Sequence, residues 1–114
     1  MSCTSNLKPY IKVGDSFDVP VQLINTEDGT GIAITQDMSF ETKIVDVSGT
    51  VIAVPTVTPF PDQVANTGFI LISVPTSVTS TWKVGKAKFD IKMSVDVAVK
   101  HSQTFSFDIK GAIT

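Results

Sequence analysis

The chain is 114 residues long, enough for one domain and too short for a second core. A hydrophobic fraction of 42% against 18% charged residues excludes a disordered tail, and a chain of this size buries roughly 65% of its unfolded surface. Nine basic and eleven acidic side chains, neither sign gathered into a block, exclude binding by phosphate neutralisation, so no nucleic-acid partner is expected.

Residues 1–13 read as a loosely ordered segment or an extra strand, and residues 1–114 as a single β-sandwich domain. The opening Met1-Ser2-Cys3-Thr4-Ser5-Asn6 has no basic stretch leading into an apolar one, and no apolar run approaches the ~18 residues that span a bilayer. The expectation is a chain made in the cytoplasm without a signal peptide and without a membrane partner. Cys3 has no second cysteine to pair with and reads as incidental in a loose terminus.

The first strand is expected over residues 16–23, with Phe17, Val19, Val21 and Leu23 inward and Asp18, Pro20 and Gln22 outward. Pro20 cannot donate to a ladder, which predicts a sheet edge or a bulge. Asn25 to Gly31 supplies the glycines and short polar side chains of a turn. Residues 38–47 and 50–57 are β-branched runs separated by Ser48-Gly49, the spacing of a tight hairpin, and prolines 55, 59 and 61 then break the pattern. The apolar run 69–74 predicts a strand buried on both faces. Between 86 and 97, Ala87, Phe89, Ile91, Met93, Val95 and Val97 alternate with Lys86, Lys88, Asp90, Lys92, Ser94 and Asp96, the period of a half-buried strand. A turn over residues 99–103 then leads to a last strand carrying Phe105, Phe107 and Ile109 inward. Six or seven short strands without a helical stripe predict an all-β, two-sheet antiparallel β-sandwich, Ig-like in class.

No group of residues carries catalysis, and no cofactor, metal or small-molecule substrate is expected. His101 is the only histidine and is followed directly by Ser102 in the expected turn, where neighbouring side chains rarely point the same way; it reads as an exposed turn residue. Asp15, Asp18, Glu27, Asp28 and Asp37 lack the ordered spacing of a calcium loop and read as turn and surface acids. Lys83, Lys86, Lys88 and Lys92 crowd one strand, but Asp90 and Asp96 share their face, which predicts a mixed solvated surface. Trp82, between a polar loop and the longest strand, reads as a core plug, with an interface anchor as the alternative.

Gly14-Asp15-Ser16-Phe17, then Asp28-Gly29, then Ile32-Ala33-Ile34-Thr35 form an opening half, and Thr81-Trp82-Lys83-Val84-Gly85 followed by Phe89-Asp90-Ile91 a closing half. In these segments the chain resembles small β-sandwich domains of bacteriophage and prophage tail, baseplate and neck-adaptor proteins, including the N-terminal domain of upper baseplate proteins. Where such domains often place a glycine-centred turn before the last strand, this chain has Val99-Lys100-His101-Ser102-Gln103. The resemblance implies a virion component of the tail, docking to other tail or baseplate proteins and forming a homo-oligomer. Tyr10, Phe60 and Val64 are the candidate interface residues. An Ig-like adhesion or carbohydrate-binding module is the alternative.

Overall fold

The computed structural model describes residues 2–5 and 7–113. Ten strands run in chain order: β1 (Ser2–Ser5), β2 (Tyr10–Lys12), β3 (Phe17–Ile24), β4 (Met38–Asp46), β5 (Val51–Ala53), β6 (Thr56–Pro59), β7 (Phe69–Val74), β8 (Gly85–Val95), β9 (Ala98–His101) and β10 (Phe105–Lys110). A single helical turn, α1 (Thr76–Thr79), joins β7 to β8. One sheet has the order β1-β3-β7-β6 and the other β2-β10-β8-β4-β5, with β9 also on β8. The expected two-sheet sandwich is therefore present. Seven of the strands make its frame, and β2, β5 and β9 are additions of three or four residues.

Three irregularities arise from single residues. Pro20 was expected at a sheet edge, yet β3 lies between β1 and β7. The resolution is that β1 pairs only as far as Ser5 opposite Val21, one position short of the proline that lacks an N–H. Beyond that point the N-terminal segment leaves this sheet and returns as β2, which pairs parallel with β10 in the other. The run expected to be continuous over 50–57 is divided in the same way: Val54 and the buried Pro55 end β5, and the chain crosses to pair as β6 with β7. β6 closes its sheet, an edge position that tolerates Pro59.

The third irregularity moves the last hairpin. Asp96 adopts φ 52°, a left-handed conformation that its short polar side chain tolerates, so the turn falls at Asp96-Val97 and not at 99–103. Val97, expected inward, is 99% exposed at the tip, and Asp96 is in the turn and not on the lysine face. Residues 98–101 pair with β8 as β9, and β10 continues along the same side of β8. Between the pairs Lys92–His101 and Phe89–Phe105 the β9-β10 side carries one extra residue, a bulge at which the Ser102 N–H donates to Ile91 O (2.8 Å) and the Ile91 N–H donates to Ser102 Oγ (2.9 Å).

The core lies between the inner faces. Phe17 is its hub, with ring centroids 5.5 Å from Phe107, 6.0 Å from Trp82 and 6.1 Å from Phe89. Edge-on and tilted contacts of this kind add about 0.5–1.5 kcal/mol each beyond area burial. Trp82 is buried, as expected, and its indole N–H donates to Ile52 O (3.2 Å), which satisfies its one polar atom. Buried Thr79 donates to Asp15 O (2.8 Å) and buried Thr42 to Asp90 O (2.7 Å). β7 differs from expectation: Ile70, Ile72 and Val74 are buried, but Phe69, Leu71 and Ser73 are half-covered, so the sheet has one core face. Cys3 also differs, being 3% exposed within β1 and part of the core.

Candidate binding surface

The outer face of the six-stranded sheet carries Lys43, Lys86, Lys88 and Lys92, and strand register sets an acid opposite each except Lys88, which lies between Val45 and Ser106. Lys86 Nζ lies 3.4 Å from Asp108, and Lys92 and Lys43 lie 3.8 and 3.5 Å from Glu41. Lys43 also stands opposite Asp90 in the β4–β8 ladder. Such exposed pairs are worth under about 1 kcal/mol each, but they neutralise the face and leave no concentrated field for an anionic ligand. His101 is exposed at the end of β9, in a shallow depression shared with Glu41, Lys43, Asp90 and Lys92.

The early acidic residues are occupied with their own loops. Asp28 Oδ1 accepts the Thr30 N–H (3.0 Å) and hydroxyl (2.7 Å), which lower its pKa, and Asp37 accepts the Thr35 hydroxyl. Asp15 accepts the Lys12 N–H at 3.2 Å. Among the described residues, no three His, Cys, Asp or Glu side chains are grouped to hold a metal. Burial pushes the Cys3 thiol up to about 11, so the nucleophilic thiolate is scarce at neutral pH.

What is left is edge and end surface. At one end, Val47, Val51 and Val84 are exposed around a hollow of about 550 Å³ that reaches Trp82 and Ile109. Four of the strand edges are blunted. β2 and β5 are three residues long, and β6 ends on Pro59. On β1 the Gln103 side chain takes the place of a neighbouring strand: its Oε1 accepts the Cys3 N–H (3.0 Å) and its Nε2 donates to Cys3 O. Two edges stay open among the described residues: β9, exposed at every residue with no strand on its outer side, and the Met38–Lys43 stretch of β4, beyond the two residues that β5 pairs.

The expected interface residues do not form one surface. Tyr10 is in edge strand β2 with Lys110 Nζ 4.4 Å above its ring. Phe60 and Val64 lie in the loop between β6 and β7, on the other sheet. Phe60 packs on Phe69 with centroids 5.6 Å apart, and Val64 stands 95% exposed at the loop tip. That loop is organised by Gln63, whose Oε1 accepts the Gly68 N–H (3.0 Å) and whose Nε2 donates to Phe60 O (2.9 Å). Neither Gln63 nor Gln103 was singled out in the sequence, since a polar side chain gives no periodic signal of the backbone group that it will meet. Val97 and Val99 did give a signal, but alternation assigned Val97 to the core and placed Val99 in a turn.

The order β1-β3-β7-β6 facing β10-β8-β4 is the ABED against GFC arrangement of immunoglobulin sandwiches. The fold is Ig-like. Solved structures similar to it include two that cover most of the chain. One is the Lin-41 filamin domain, with TM-score 0.51 and 15% identity over 95% of this chain and 91% of that one. The other is a DUF4426 family protein from Pseudomonas aeruginosa, with TM-score 0.54 and 13% identity over 85% of this chain and 76% of that one. At such identities the likeness concerns the fold alone, which hosts many unrelated functions. No family model matches the chain, and no curated protein matches it.

Proposed function

We propose that this chain is a non-catalytic assembly module that acts through protein–protein contact. The observation that supports the reading is the open β9 edge with Val97 and Val99 beside it, a surface suited to main-chain pairing and apolar contact. Its narrower form, a structural or adaptor protein of a phage tail or baseplate, rests on the sequence resemblance of the Gly14–Phe17 and Thr81–Ile91 segments. The Ig-like adhesion or carbohydrate-binding alternative has less support, because Trp82 is buried and Lys110 lies over one face of the exposed Tyr10 ring.

The deciding experiment is protein mass spectrometry on purified tail particles from an induced lysogen that encodes the chain. The expected result is a fixed copy number relative to the tail tube protein. Absence from the particle, together with specific retention on a glycan array, would replace the reading with a carbohydrate-binding module.

A further inference from the structure

We infer that β9 is a self-pairing edge, and that a second copy of this chain docks antiparallel to it across a two-fold axis at Val99; this rests on the assembly reading above. The hydrogen-bond parity comes first. Ser102 directs its N–H to Ile91 of β8, so along the preceding strand Lys100 and Ala98 also face β8, while Val99 and His101 turn their N–H and C=O groups outward. An antiparallel neighbour must meet these with its own outward groups. Centring the axis on Val99 does so with the same strand, since Val99 then exchanges both bonds with its own copy.

Charge then selects among the symmetric registers. An axis at Lys100 would set two ammonium groups directly opposite each other, which is destabilising. The axis at Val99 places Lys100 opposite Ala98 and brings together apolar side chains that are now in water, Val97 at 99% and Val99 at 52% exposure. Of the other edges, β2 and β5 are shorter, β6 ends in proline and β1 is capped by Gln103, while the open stretch of β4 exposes Ser39, Glu41 and Lys43 in place of apolar side chains. The bulge after His101 limits pairing to this short segment, so the isolated dimer is weak, with an interface under ~1,000 Å², and is reinforced where an assembly holds copies side by side.

Val99→Cys treated with a short bismaleimide tests the geometry, since paired residues at the axis lie ~5.5 Å apart. Cys3, buried and protonated, does not compete. Val64→Cys, more exposed but in a distant loop, is the control. The expected result is covalent dimer forming about tenfold faster from the Val99 variant at equal concentration. In light scattering, the wild-type mass should rise with concentration and that of Val99→Lys should not. Equal cross-linking of the two cysteine variants would overturn the edge pairing. If the wild-type mass still rose with concentration in that case, the assembly reading would stand with another surface as its contact. A wild-type chain that stays monomeric at all concentrations and is missing from the tail particle would remove both.

Discussion

Phe89 shows what one inward position is worth. It is buried at the centre of β8 between Phe17, Phe105 and Phe107, while Lys88 beside it points to solvent. Phe89→Ala should cost about 3–5 kcal/mol and Lys88→Ala under about 0.5 in urea unfolding. Equal losses would mean that the inward face of β8 is wrongly assigned. Cys3 makes a pH-dependent prediction. Burial raises its folded pKa from the ordinary 9.0 to about 11, so its contribution is complete below pH 9 and is lost as pH rises toward 11, where the unfolded thiol ionises first. The stability difference between wild type and Cys3→Ala should shrink over that window, and a thiol reagent at pH 8 should react slowly until denaturant is added. Rapid labelling of the native protein would place Cys3 outside the core.

At the scale of elements, the N-terminal strand is held by a side chain that imitates a strand. Gln103→Ala removes both bonds to Cys3, and at roughly 1 kcal/mol each the loss should be about 1–2 kcal/mol, with faster hydrogen exchange at the Cys3 amide. Unchanged exchange there would show that β3 alone secures β1. The loop entering β7 depends on Gly68, whose φ of 84° and close approach to Leu23 O leave no room for a Cβ, which would lie 2.7 Å from that oxygen. Gly68→Ala should therefore destabilise by at least about 1–2 kcal/mol, whereas Gly29→Ala, left-handed but in open space, should cost only the backbone strain. Similar thermal midpoints for the two would rule out the close contact as the reason for glycine at 68.

For the whole molecule, a formal charge of -2 and a pI near 5.1 set the pH at which the proposed association is expected to be strongest. Repulsion between copies is least near pH 5, so the mass measured by light scattering at a fixed concentration should be greatest there and fall toward pH 8. A flat profile would mean that contact does not depend on net charge. The two sheets are locked together by Phe17, Trp82, Phe89 and Phe107, which come from strands and loops far apart in sequence. Contacts so distant in the chain predict slow, cooperative folding typical of β-sandwiches.

Alternation and turn chemistry by themselves determined the fold class and the inward faces of β3, β8 and β10. These are local properties, because a side chain's face on an extended strand is set by its parity and by its neighbours. The strand on which a run pairs, and whether anything covers its outer edge, are not local. Pro20 was legible as a residue that cannot pair, but only the tertiary structure shows that β1 stops beside it and crosses to the other sheet. Val97 carries the same apolar signal as Val95, and the left-handed Asp96 before it decides that it ends in solvent. The candidate surface was hidden for the same reason. An exposed edge is defined by the strand that is missing beside it, and a sequence records the strands that exist without recording which of their hydrogen bonds remain unpaired.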